Sequence, residues 1–130
     1  AALAARSLAA GESRRQLALR DQLEHRLATL LPGRVHLNGH PVQRLPNTAN
    51  LRIDDAPALA LLADLTDVVV SAGSACHAGR DEPSAVLTAM GLSDADALTA
   101  IRVSLGRWTT AAEVDAACTH LAGATRTDHP

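Results

Sequence analysis

The sequence predicts a mixed α/β (α+β) domain, a small open sheet of about three or four strands with helices packed on it. Three observations lead there. The chain opens with a long helix-prone stretch that has one apolar face, short alternating or β-branched runs follow it, and clusters of Gly, Pro and Asn separate these segments. At 130 residues the chain fits one core, of a size that buries roughly two-thirds of its unfolded surface.

Residues 1–31 are helix-prone, with Gly11 as the expected break, and Leu19, Leu23, Leu27, Leu30 and Leu31 recur on one face. Pro32-Gly33 ends the helix. The Ala/Leu-rich opening has no capping residue and reads as the interior of a helix already under way, as in a piece of something longer. Val35-His36-Leu37 is a short strand, closed by the turn formers Asn38-Gly39-His40-Pro41. The next strand, Ala49 to Ile53, alternates so that Ala49, Leu51 and Ile53 share a face. Ala56-Pro57 starts a short buried helix over 58–65. Val68-Val69-Val70 reads as a β-branched strand running straight into a loop around Cys76. Glu82-Pro83-Ser84 opens a helix to Met90, ended by Gly91. Residues 101–105 form a strand closed by Gly106. Thr110 with Glu113 is a capping-box pattern for a final helix to about Leu121. The expected organisation is therefore a linking helical segment (1–33), a small domain with the cysteine loop (34–122) and a flexible tail (123–130).

The apolar content of 47% is supplied by Ala, Leu and Val, with one Trp and neither Phe nor Tyr, so the core packs aliphatic side chains. The formal charge of -2 sets 12 Arg against 14 acids and includes no Lys. Such a balance draws the chain neither to nucleic acid nor to an anionic membrane, and without Lys no side chain can hold a carbonyl compound as a Schiff base. The two cysteines are too few for a disulfide scaffold and fit a reducing cytoplasm. The apolar start is about ten residues long, contains Arg6, and runs into charged helical sequence rather than a cleavage region, unlike a signal peptide. No window reaches the roughly 18 uncharged apolar residues of a membrane span.

Cys76 lies in Ser71-Ala72-Gly73-Ser74-Ala75-Cys76-His77-Ala78-Gly79. Small neighbours let a loop move and a bulky substrate approach the sulfur. A free thiol is only a few per cent thiolate at neutral pH, and a protonated His77 or Arg80 would raise that share. The competing reading is an isolated Cys that fills core space. Cys118 falls on one helical face with Val114, Ala117 and Leu121 and reads as core. Arg102, between Ile101 and Val103 in a strand, needs a carboxylate or phosphate if it is buried. The alternative is an edge-strand arginine pointing into water. Arg suits a bidentate grip on an amino-acid carboxylate. The six histidines show no paired ligand spacing and neither Cys has a CxxC partner, so no metal is expected. Neither GxGxxG nor a Walker loop is present.

Four segments together resemble the cysteine desulfurases. They are Leu45-Pro46-Asn47-Thr48-Ala49-Asn50, then Ser71 to Cys76, then Glu82-Pro83-Ser84-Ala85-Val86-Leu87 with Met90-Gly91-Leu92, then Ile101-Arg102-Val103-Ser104-Leu105-Gly106-Arg107. The resemblance runs from about Val35 to Leu121. It implies the C-terminal small domain of a fold-type I, class V aminotransferase relative, in which pyridoxal phosphate binds L-cysteine and a loop cysteine takes its sulfur as a persulfide while alanine leaves. By position it makes Cys76 the nucleophile and Arg102 the carboxylate ligand, with Ser74 and His77 as further loop candidates. The family's cofactor residues lie in a large domain, so the resemblance implies no covalent cofactor binding and no turnover by this chain alone. It also implies a homodimer and a sulfur-accepting scaffold or carrier protein as partner. Cys76-His77 resembles selenocysteine lyases too, which leaves selenium open beside sulfur. A third alternative is a persulfide-carrying or protein-binding module that is not an enzyme.

Overall fold

The computed structural model describes residues 2–72 and 82–126, with side chains from residue 9 onward. The chain runs α1 (Ala2–Leu30), β1 (Val35–Leu37), β2 (Thr48–Ile53), α2 (Ala58–Asp64), β3 (Ser71–Ala72), α3 (Ala85–Ala89), α4 (Asp94–Leu98), β4 (Ala100–Ser104) and α5 (Ala111–Ala124). The strands form one sheet of order β1-β2-β4-β3, antiparallel at each pairing. This is the predicted small open sheet, at the upper end of the expected strand number.

One face of the sheet carries the main core. Ala49, Leu51 and Ile53 of β2 and Ile101 and Val103 of β4 pack with Leu19, Leu23, Leu27 and Leu31 of the first helical segment, Leu61 of α2, and Val114, Cys118 and Leu121 of α5. The period-two alternation of β2 and the leucine rhythm of α1 thus each supply one wall of the same core, as expected of those patterns. On the opposite face, Leu87 of α3, Ala97 of α4 and Ala100 of β4 form a second, smaller cluster with Leu92 packed against it. That cluster covers the Ala100 end of β4, while Arg102 and Ser104 farther along the same face are exposed.

Several boundaries follow the sequence signals. Gly33 ends the first helical segment with φ 74° and Gly91 ends α3 with φ 98°, left-handed conformations that side chains other than Gly rarely adopt. The Thr110–Glu113 capping box is present in both directions, and α5 continues to Ala124.

Other expectations are corrected. Gly11 does not break α1, which passes through it. Gly costs about 1 kcal/mol relative to Ala in a helix, a penalty offset by the local Arg15–Glu12 and Gln16–Glu12 hydrogen bonds and by tertiary anchoring of Arg15. Its guanidinium donates to the carbonyls of Thr109 and Arg107 at 2.6 and 2.7 Å. Val68–Val70 is not a strand: the pairing with β4 begins at Ser71, and Val69 is 97% exposed. β-Branched propensity expresses itself only where a neighbouring strand offers a surface to pack on. Helix α4 was not foreseen. It is five residues long, capped by the Ser93 side chain accepting from the Asp96 backbone N–H, and too short to show a helical period.

Candidate functional site

Strand β4 lies inside the sheet between β2 and β3. Its alternation sends Ile101 and Val103 into the core and turns Arg102 and Ser104 outward. Arg102 has Asn50 of β2 as its Cα partner on one side and Ser71 of β3 on the other. Residues paired across antiparallel strands point to the same face. Asn50, Arg102 and Ser71 therefore form a polar row across three strands, on the face opposite the main core.

The predicted environment of Arg102 needs correction. Its side chain is exposed, so burial does not force an anion upon it, and it is an interior-strand rather than an edge-strand arginine. Among the described residues it has no hydrogen-bond or ion-pair partner. A guanidinium held on a rigid strand and left unpaired is a free fork for a carboxylate.

The neighbouring polar groups are, by contrast, tied together. Asn38, buried at the end of β1, donates from Nδ2 to Asn50 Oδ1 at 2.8 Å, and its own Oδ1 accepts from Arg52 Nη1 at 3.3 Å. The backbone N–H of Asn38 donates to the Asn50 carbonyl at 2.9 Å. His36 Nε2 lies 2.9 Å from Asp54 Oδ2. The segment entering β2 is held by a second network. Arg20, with a side chain 5% exposed, donates to the Leu45 carbonyl, and Arg44 pairs with Glu24 through both carboxylate oxygens. At the far side, Leu105 N–H donates to the Asn47 carbonyl at 2.8 Å, closing β2 onto β4.

Ser71 and Ala72 are the last described residues before Cys76 in the chain. Cys76, Ser74 and His77 lie outside the described residues. Cys118 is the core residue expected from its helical face. It is fully buried, donates weakly to the Leu23 carbonyl at 3.6 Å, and burial first, then the nearby Asp115, pushes its thiol up to about 11. At neutral pH it is a protonated, inert sulfur. Arg107 stacks over Trp108 with 5.4 Å to the ring centroid and takes no part in the polar row. Among the described residues no group of three His, Cys, Asp or Glu is placed to hold a metal ion, and no helix is long and apolar enough to cross a membrane.

Asn50 and Ser71 were not singled out from the sequence as site residues. The signal for Asn50 was available: the alternation that buries Ala49, Leu51 and Ile53 necessarily turns Asn50 to the other face. No comparable signal places Ser71 beside Arg102, because that depends on the register between β3 and β4.

No protein-family model matches the chain. Over 114 residues it is 45% identical to a cysteine desulfurase of Frankia sp. (strain EuIK1), covering 88% of this chain and 27% of that protein. A cysteine desulfurase of Cereibacter sphaeroides is 42% identical over 99 residues, covering 75% of this chain and 25% of the relative. A NifS-like protein from Rickettsia africae superposes with a TM-score of 0.71 at 29% identity, over 86% of this chain and 28% of that chain. The chain thus spans about a quarter of the length of the curated relatives it matches. In sequence and in fold, over most of its own length, the chain is thus similar to one part of these cysteine desulfurases and NifS-like proteins.

Proposed function

We propose that this chain is the C-terminal small domain of a cysteine desulfurase in which Arg102 binds the carboxylate of L-cysteine and Cys76 accepts its sulfur. The observation that carries the reading is Arg102, exposed on the outer sheet face without a partner among the described residues and in register with Ser71. Residue 71 precedes Cys76 by five positions, and an extended chain of that length reaches about 17 Å. That length permits the Cys76 sulfur to approach a substrate held by its carboxylate at Arg102.

In the proposed transfer the Cys76 thiolate attacks the sulfur of the substrate. An S–S bond forms on Cys76, the substrate C–S bond breaks, its carbon takes a proton, and alanine leaves. A cysteine persulfide remains for an acceptor protein. Pyridoxal phosphate, which would activate the substrate, does not fit the residues of this chain. The sequence has no Lys to hold the aldehyde, so the cofactor belongs to the large domain of a cytoplasmic homodimer. The product would feed iron-sulfur cluster or thio-cofactor synthesis. The pair Cys76-His77 keeps selenocysteine as a competing substrate.

The test is alanine release by the full-length protein loaded with pyridoxal phosphate, with L-cysteine and L-selenocysteine compared. The expected result is release from L-cysteine with a persulfide on Cys76, seen as the added mass of one sulfur atom, both lost in Cys76→Ala. The 130-residue chain alone should release none. Full activity of Cys76→Ala with dithiothreitol present would overturn the role of Cys76, and turnover by the isolated chain would overturn the missing-domain argument.

A further inference from the structure

We propose that Asn50 is a second donor to the substrate carboxylate, working beside Arg102, and that Asn38 is the positioning residue that holds Asn50 in the donating orientation. The inference rests on the proposed carboxylate grip of Arg102 and adds to it. A guanidinium can only donate, so the Asn38 side-chain atom 3.3 Å from Arg52 Nη1 is its carbonyl oxygen. That fixes the amide of Asn38, whose Nδ2 must then be the donor at 2.8 Å to Asn50. Asn50 in turn must present Oδ1 to Asn38. The rotamer ambiguity of both amides is thereby resolved by a one-way chain of donors, running Arg52 to Asn38 to Asn50.

The consequence is that Asn50 has only donor capacity left. Both hydrogens of its Nδ2 have no partner among the described residues. Arg102, the Cα partner of Asn50 on the same sheet face, presents a guanidinium that is equally unpaired. Two adjacent groups that both donate and lack an acceptor form a site for an anion, and a planar carboxylate with two oxygens can take one from each. The Asn38 end of the chain is buried, with Asn38 only 7% exposed, so the orientation is set from inside the protein while the donors face outward. The Cys76 segment plays no part in this geometry.

The experiment is competitive inhibition of the full-length holoenzyme by L-alanine, which keeps the carboxylate, and by ethylamine, the same amine without it. In Asn50→Ala the inhibition constant for L-alanine should rise about tenfold or more, the size of a lost hydrogen bond to a charged group, with that for ethylamine unchanged. Asn50→Asp, of equal size but accepting rather than donating, should raise the L-alanine constant further. Asn38→Ala releases the Asn50 amide to flip and should raise it about two- to fivefold, a fraction of the same bond. An Asn50→Ala variant with an unchanged L-alanine constant overturns the proposal, as does one that weakens both inhibitors alike. Arg102→Ala run in parallel separates the two ideas. If it weakens L-alanine while Asn50→Ala does not, the carboxylate grip stands and Asn50 is no part of it; if Arg102→Ala leaves L-alanine unaffected, the underlying reading fails by itself.

Discussion

Ser71 and Arg102 are Cα partners across β3 and β4, so the residue five positions before Cys76 is fixed in register with the proposed carboxylate ligand. The coupling lies in the backbone ladder rather than in a side-chain contact. One strand pairing therefore sets where Ser71, the residue five positions before Cys76, lies relative to the proposed anion site at Arg102.

Because the proposed grip depends on a planar fork, Arg102→Lys should not be conservative. The charge is kept, but bidentate geometry is lost. We expect kcat/KM for L-cysteine in the full-length enzyme to fall about tenfold, mostly through KM, the loss of one charge-assisted hydrogen bond of two. Steady-state kinetics checks this, and an unchanged KM would refute a carboxylate role for the residue.

Cys118 should make the fold sensitive to alkali. Its thiol is raised in the folded protein from 9.0 to about 11 by burial, so the unfolded chain loses this proton first. Stability from this group is full below pH 9 and is lost as pH rises toward 11. The chain has no Lys and no Tyr, so few other side chains titrate in that window. In a Cys76→Ala background, thermal unfolding should show a midpoint that declines over this range, and Cys118→Val should flatten the decline. The same burial predicts that Cys118 resists thiol reagents at neutral pH until the chain is unfolded.

Glu24 holds two arginines. Its carboxylate takes both Nη groups of Arg44, and Arg20 Nε lies 3.7 Å from it. The Arg44 guanidinium is held above its ordinary pKa chiefly by that hydrogen bond. Removing the acid leaves Arg20, with a side chain 5% exposed, less compensated. Breaking a fully buried pair costs about 3–5 kcal/mol, and the 22% exposure of Glu24 reduces this. Glu24→Ala should therefore lower the unfolding free energy by about 2 kcal/mol. The urea midpoint of the chain should shift with little change in slope.

Thr110→Ala removes the side-chain half of a capping box whose other half is the Glu113 carboxylate accepting from the Thr110 N–H at 2.8 Å. That bond and the one from the Thr110 hydroxyl hold Glu113 below its usual pKa. The expected loss is about 1 kcal/mol, measurable in the same urea experiment. A loss many times larger would mean that Thr110 does more than cap α5.

The elements with a strong local signal are legible in the sequence: the leucine face of α1, the alternation of β2, the Thr110–Glu113 cap and the glycine stops at Gly33 and Gly91. Each is specified by residues a few positions apart, acting through backbone conformation or a single buried face. Residue type also suggested the candidate chemistry, an arginine in a strand and a cysteine among small residues, which stands as the proposal tested above.

Tertiary structure decided what depends on partners distant in the chain. Val68–Val70 has the composition of a strand, yet pairing starts only at Ser71. Gly11 continues a helix because Arg15 is anchored to carbonyls of residues 106, 107 and 109. Arg102 stands on an interior strand, between Asn50 and Ser71, because β4 lies between β2 and β3. The row of Asn50, Arg102 and Ser71 exists through strand register, a relation among segments that local propensity does not encode and that only burial of one sheet face enforces.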